Sequence, residues 1–467
     1  MSADLQPVIV GAGPAGIRAA ETLVRHGLKP VVIDEAPRWG GQIYRQPPAI
    51  FQRTRQTLYG LDAKAAAAVL NTMTTLLPHI SYRNDTLVWN AEGGQLDLLH
   101  QNQSSTQPYS HLILSTGATD RVLPFPGWTT PGVFTLGGAQ VALKYQGCAI
   151  GSRVVFVGTG PLLYLIAYQY AKAGAKVVAV LDTATLLDQI AALPDLMVAP
   201  GLLARGIYYV SWLRAHGVPL HGGIQPLGAV GDGRVDAMRW RDSRGEHEVA
   251  CDAIGFGHAL RSETQLADIL GCRFEFNVLQ RAWLPVHDAA GRASVSGVYL
   301  AGDGVGIMGA QAAEWAGERA ALALLADTDQ ASAPAQRARA NKLEKALGRT
   351  QRFRRGLERA FPFPPTWAEQ ASDSLVVCRC EDVTASDLRT SAAAMGTTDI
   401  NRLKALTRVG MGRCQGRMCG VAACEILAQC SGQPLKAVGR LRGQAPIKPI
   451  PFSMARTTVP SKPAAST

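Results

Sequence analysis

The sequence predicts an α/β architecture: two Rossmann-like, dinucleotide-type domains in tandem, followed by a small cysteine-bearing domain. Three observations predict it. The chain opens with VIVGAGPAG, an apolar strand running into a glycine loop. A shift of 147 residues superposes GAGPAGIRAAETLVRHGLKPVVIDE on GTGPLLYLIAYQYAKAGAKVVAVLD without a gap. Finally, Cys378, Cys380, Cys414 and Cys419 crowd together near the end of the chain. At 467 residues and 47% hydrophobic content, the chain exceeds what one core usually supports and has material for two or three.

The first copy of the repeat is complete. In Gly11-x-Gly13-Pro14-Ala15-Gly16 the first glycine permits a tight turn and the second lets backbone approach a pyrophosphate. The third lets helix and strand pack closely, and the helix N-terminus offers unpaired N–H groups and a positive dipole end. Asp34, with Glu35 beside it, follows at the end of the second strand, where a carboxylate accepts hydrogen bonds from adenosine ribose hydroxyls and disfavours a phosphorylated ribose. The second copy has drifted. Leu163 stands where the third glycine belongs and is expected to push helix from strand; Leu181 replaces the acid, leaving Asp182 next to it. Packing alone and an altered nucleotide site are both open for this domain.

Two further stretches point to a flavin as the first cofactor. HLILSTGATDRVLPFPG, with Thr116 and Gly117, resembles the crossing segment of two-dinucleotide flavoproteins, and VSGVYLAGDGVG, with Gly302 and Asp303, resembles their second flavin motif. Asp303 is expected at the ribityl hydroxyls, and a helix starting near Gln311 is expected to aim its dipole at the isoalloxazine. GGQIYR, with Gly41 and Gln42, is expected along the cofactor. No cysteine precedes Cys148, and Cys148, Cys251 and Cys272 stand singly, which argues against dithiol chemistry beside the flavin.

At the other end, Cys378-x-Cys380 and Cys414-x4-Cys419 are separated by thirty-three residues, including a predicted helix over 385–395 stopped by Gly396. Four thiolates so grouped suit iron or zinc. Zinc sites usually pair cysteines with two to four residues between them, and Cys-x-Cys with Cys-x4-Cys is less usual there, so an iron–sulfur cluster is the favoured reading, with structural zinc and redox or packing thiols as the alternatives. The spacing resembles the [2Fe-2S] module of the bacterioferritin-associated ferredoxin class, with the last gap wider than that class's. Arg379, Arg413 and Arg417 stand where they would offset cluster charge. Cys424 and Cys430 fall in an apolar helical run outside the pattern.

The net charge of +11 is concentrated, since residues 336–359 alone carry nine Lys or Arg against Glu344 and Glu358. Such a run is a solvated face or a docking surface for an acidic partner or phosphate, and no nucleic-acid motif accompanies it. The uncharged run 154–171 has GTGP in its middle, which favours strand, turn and buried helix over a membrane span. Asp4 stands where a secretory signal needs basic residues, and nine cysteines without a disulfide pattern suit a reducing compartment. A cytoplasmic location is expected, with or without peripheral association with the inner membrane face.

Taken in order, these motifs resemble the FAD and [2Fe-2S] subunit, alpha-type, of the hetero-oligomeric amino-acid and opine dehydrogenases: opine oxidase, D-hydroxyproline dehydrogenase and hydrogen cyanide synthase. The resemblance implies FAD at Gly11–Gly16 and a [2Fe-2S] cluster on the four cysteines. It leaves room for FMN at a subunit interface and for ATP or a dinucleotide at the second nucleotide domain. It also implies a catalytic flavoprotein partner, with or without a small third subunit, and a quinone or respiratory electron acceptor. The division so expected is an FAD domain at 1–125 plus 281–330, a degenerate nucleotide domain at 126–280, a basic linker at 331–370, the [2Fe-2S] domain at 371–440 and a Pro-rich arm at 441–467. No catalytic residue is assigned, since His111, His258 and His287 stand alone. A self-sufficient NAD(P)H-dependent flavin oxidoreductase using Gly158 and Gly160, and a non-enzymatic assembly or iron-handling protein, are the rival readings.

Overall fold

The computed structural model describes residues 5–51, 53–329, 334–453 and 455–456. Its first sheet is five-stranded and parallel, in the spatial order Val298–Leu300, His111–Leu114, Pro7–Val10, Val31–Ile33, Ser81–Arg83. The edge strand at residue 298 returns from far along the chain, so this unit is discontinuous. Pro7–Val10 is buried along its whole length, as a central parallel strand covered on both faces must be. The helix Pro14–Arg25 starts with proline at its first turn and turns Ile17, Ala20 and Leu23 inward. It packs on helix Ala310–Asp327 so closely that a Cβ at Gly317 would lie 1.9 Å from the Ala15 carbonyl oxygen. Both helices start beyond the C-terminal ends of parallel strands, Pro7–Val10 and Val298–Leu300, so their N-termini lie at the same end of the sheet.

The second sheet repeats the plan with Leu220–Gly222, Lys176–Asp182, Arg153–Thr159, Ala253–His258 and Val133–Thr135, all parallel. The uncharged run from 154 resolves into strand Arg153–Thr159 and helix Pro161–Lys172, as the glycine turn required. Among the described residues no helix is long and apolar enough to cross a membrane.

The basic segment is a single helix, Pro334–Ala360, and not a loose connection. It buries a narrow stripe of Leu343, Phe353 and Gly356, and several of its charges are matched within the chain: Arg339 by Glu318, Glu344 by Arg319, Arg359 by Asp195. A short hairpin, Val376–Cys378 with Val383–Thr384, then opens the C-terminal unit. Helix Ala385–Met395 begins with a reciprocal cap between Thr384 and Asp387 and ends at Gly396 in the left-handed conformation. Helices Ile400–Thr407 and Gly420–Ser431 complete it. Its core of Val377, Leu388, Leu403 and Ile426 is continuous with that of the second nucleotide domain, and Trp128 Nε1 donates to the Val376 carbonyl at 2.6 Å.

Residues 441–453, the start of the expected arm, run past helix Gln265–Ile269 and strand Leu87–Glu92. Gly443 N donates to Asp268 Oδ2 at 2.6 Å, and buried Ile447 donates its N–H to the Trp89 carbonyl at 3.0 Å. The remainder of that arm, from residue 457, lies outside the described residues.

Candidate functional site

The glycine loop has the form its sequence demands. A Cβ at Gly16 would sit 1.8 Å from the Gly11 carbonyl oxygen, and Gly11, at φ +105°, would drive one into the Ser115 carbonyl at 2.3 Å. Gly13 and Gly41 face each other, a Cβ at Gly41 falling 3.0 Å from the Gly13 Cα, so GGQIYR runs along the loop. Pro14 and Ala15 are buried in the first helical turn. Asp34 accepts from the amides of Ala12 and of Ala36, the latter at 2.7 Å, which ties the end of the second strand to the loop. Burial pushes its carboxyl up and those amides oppose the shift. Glu35 turns away to pair with Lys448.

The crossing segment and the second motif close the cradle. Ser115 Oγ donates to the carbonyls of Val10 and Gly11, both at 2.9 Å. Thr116 and Gly117 follow directly, and a Cβ at Gly304 would lie 2.9 Å from Thr116 Oγ1. Gly302, at φ +73°, lets the turn press on Ala15, where a Cβ would be 3.0 Å away. Asp303 Oδ1 accepts from Met308 and Gly309 N–H at 2.8 and 3.0 Å, just ahead of helix Ala310–Asp327. Gln42 and Gln311 are exposed; Gln42 accepts from Arg45, and Gln311 faces a groove with Arg18, Glu314 and Trp315. One residue without a sequence signal also braces this region. Lys144, nearly fully buried, donates Nζ to the Ile43 carbonyl at 3.0 Å, and burial pushes its ammonium down to about 8.

The second glycine loop differs in backbone as well as in sequence. Gly13 has φ −81°, whereas its counterpart Gly160 has φ +110°. Leu163 is fully buried in a core with Phe156 and Tyr170, so the helix accommodates it by packing. Asp182 is satisfied from within: Tyr164 Oη donates to it at 2.7 Å and Ala184 N at 2.9 Å, and burial pushes its carboxyl up to about 6.

The four cysteines meet although thirty-three residues separate the pairs. Cys419 lies close enough to both Cys378 and Cys414, and Cys414 to Cys380, for each thiol to shift its neighbour's ionisation, so the sulfurs form a chain. The neighbouring Cys419 thiol, with help from the amides of Gly410, Glu381 and Cys380, holds the Cys378 thiol down at about 6 against burial. Cys414 is held at about 5 by Cys419 first, then by the amides of Met418 and Gly416. Those two neighbouring thiols push Cys419 itself up, and burial pushes Cys380 up. Gly412 lets the two loops touch, a Cβ there falling 2.4 Å from that of Cys380. Among the described residues no group of three or more His, Cys, Asp or Glu makes a ready cage for a single ion. A binuclear cluster instead needs a pair of thiolates on each iron, and soft sulfurs ringed by N–H donors are a donor set that fits it.

The signature of the pyridine nucleotide-disulphide oxidoreductases matches residues 5–317, and that of the sarcosine oxidase A3 domain matches residues 373–458. The chain is 34% identical to the A-type subunit of opine oxidase from Agrobacterium tumefaciens (strain Ach5), over 95% of this chain and 90% of that one. The chain belongs to this oxidoreductase family. It is also 35% identical to the hydrogen cyanide synthase subunit HcnB of Pseudomonas aeruginosa, across 96% of its own length and 98% of the relative's. The crystal structure of L-proline dehydrogenase from P. horikoshii shares the fold of this chain, with TM-score 0.70 and 20% identity over 96% of this chain and 79% of that one. An FAD-dependent oxidoreductase subunit follows from this membership and from the glycine cradle together.

Proposed function

We propose that the chain is the electron-transferring subunit of a hetero-oligomeric, amine-oxidising flavoenzyme. A partner flavoprotein oxidises the C–N bond of an amino acid, imino acid or opine, and this chain passes the electrons on. The observation that supports it best is the pairing, in one folded unit, of a complete flavin cradle with a four-thiol patch. FAD at Gly11–Gly16, with Asp34 toward the ribose and Asp303 toward the ribityl chain, supplies two-electron chemistry, and a [2Fe-2S] cluster on Cys378, Cys380, Cys414 and Cys419 supplies one-electron chemistry. The three isolated histidines do not converge on a substrate site: His258 is buried, while His111 and His287 bond to Ser110 and Asp288.

Octopine or nopaline, D-hydroxyproline and glycine, the last yielding hydrogen cyanide, are the candidate substrates, and a quinone or other respiratory carrier at the inner membrane face is the acceptor. FMN at the partner interface and a small third subunit complete the expected assembly. At the second nucleotide domain the Tyr164–Asp182 bond takes the carboxylate that a ribose needs, which favours packing or an altered ligand such as ATP over NAD(P)H. The test is co-purification with the partner and dye reduction across that substrate panel. The expected result is turnover by the complex with one of these amines and none by the isolated chain. Rapid dye reduction by the isolated chain with NADH or NADPH would overturn the reading.

A further inference from the structure

Strand Ala118–Asp120 leaves the flavin crossing segment and pairs antiparallel with Leu260–Ser262, Ser262 standing opposite Ala118. The chain after Ser262 therefore emerges beside Thr116. There Thr116 Oγ1 donates to the Glu263 carbonyl at 2.6 Å and Glu263 N donates to the Gly117 carbonyl at 3.0 Å. The same carbonyl of Glu263 lies 3.6 Å from where a Cβ at Gly304 would be, so the Glu263 backbone is part of the wall behind the AGDG turn.

The side chain of Glu263 serves the other site. Its Oε2 accepts from Arg417 Nε at 2.7 Å and its Oε1 from Arg417 Nη2 at 3.1 Å, with both side chains 13% exposed. Arg417 lies between Cys414 and Cys419, and its Nη1 reaches the Cys414 carbonyl at 3.4 Å and the Ile447 carbonyl at 2.8 Å. Arg261, two residues earlier in the strand, and Gln265, at the first turn of helix Gln265–Ile269, reach the same loop. Arg261 Nη1 donates to the carbonyls of Gly416 and Arg417 at 3.3 and 3.4 Å, and Gln265 Nε2 to the Gln415 carbonyl at 2.6 Å. The segment 261–265 thus sets the Glu263 backbone in the flavin cradle and the side chains of Arg261, Glu263 and Gln265 on the thiol loop.

We infer that Glu263 and Arg417 are the positioning pair that locks the four-thiol loop to the flavin cradle and sets the charge felt at the sulfurs. The inference rests on the proposed flavin and iron–sulfur reading. Two-point guanidinium–carboxylate contact fixes distance and orientation together, which a single hydrogen bond does not. Arg417 offsets the negative charge of a sulfur-ligated iron pair, and Glu263 neutralises part of that offset. The pair therefore acts with opposite signs on the one-electron reduction of ferric to ferrous iron.

The test is an anaerobic redox titration of the full chain, followed by EPR, for wild type, Glu263→Gln, Arg417→Gln, Arg417→Lys and the double Gln variant, with FAD and iron content measured for each. Glu263→Gln should make the cluster easier to reduce and Arg417→Gln harder, each by on the order of tenfold in the equilibrium constant. The double variant should return toward wild type, and Arg417→Lys, which keeps the charge, should stay near it. Loss of packing alone would shift both single variants the same way or not at all, and that result, with both cofactors present, overturns the inference while leaving the proposed function standing. Absence of iron from wild type sinks the proposed function and the pair's role with it.

Discussion

Replacing Gly16 with alanine tests the flavin cradle at its tightest point. The added Cβ would lie 1.8 Å from the Gly11 carbonyl oxygen and 2.8 Å from Ser115 Oγ. The first of these contacts is backbone and cannot swing aside, so helix Pro14–Arg25 must retreat by roughly 1 Å, on the scale at which overpacking costs about 1–3 kcal/mol. The retreat opens the loop that would hold the pyrophosphate and turns the helix N-terminus from it. If that strain falls on the binding-competent state, FAD affinity drops by about 5- to 150-fold. The assay is flavin retained after purification, followed by fluorescence titration of the apoprotein with FAD. Gly27→Ala is the control, since Gly27 at φ +80° has no atom within 4 Å of a Cβ and suffers only the strain of its dihedral. Wild-type affinity in folded Gly16→Ala would refute the assignment of this loop to the cofactor.

Serine at Cys378, Cys414 or Cys419 should remove iron while leaving FAD in place, whereas Cys424→Ser, outside the sulfur chain, should keep both; metal analysis and the visible spectrum read this directly. Glu425→Gln breaks a two-point pair in which Arg281 Nη2 lies 2.7 Å from Glu425 Oε2, and because Glu425 is buried but Arg281 partly exposed the loss should be about 1–3 kcal/mol, seen as earlier thermal unfolding of the C-terminal unit. Burial, helped by the neighbouring Arg121 charge, pushes buried His258 down to about 3, with Glu358 held 3.8 Å from Arg121 on the adjoining helix. Its folded pKa lies below the unfolded value, so its contribution is fully present above about pH 6.5 and is lost as pH falls toward 3, by about 2 kcal/mol between pH 7 and 5. Urea unfolding of His258→Gln should show a correspondingly flatter acid limb, and an unchanged limb would contradict the burial of a neutral imidazole.

What local pattern encodes was legible. The helix at 385–395 and its Gly396 stop follow from a capping threonine and a glycine suited to positive φ, and the helix placed near Gln311 begins at Ala310. The glycine fingerprint could be read because each glycine answers a steric demand set by its near neighbours. Helix Pro334–Ala360 was harder to see as a packed element, because its buried stripe is only a few residues wide and its charges find partners on Glu318, Arg319 and Asp195, remote in sequence. Glu263 gave no signal at all: it stands alone in sequence, and its meaning comes from Arg417, 154 positions away. Lys144 was silent for the same reason, its partner being the Ile43 carbonyl. The drift of the second glycine loop was visible as Leu163, but the changed backbone at Gly160 and the capture of Asp182 by Tyr164 needed the fold.

That one polypeptide holds a flavin and a sulfur-ligated iron pair side by side is tested most directly by metal and flavin analysis of the anaerobically purified chain, joined to EPR of the dithionite-reduced sample. The predicted result is FAD with about two iron atoms per chain and a one-electron signal that disappears in Cys414→Ser. Zinc in place of iron, or protein without metal and with all four thiols free to alkylation, would contradict it.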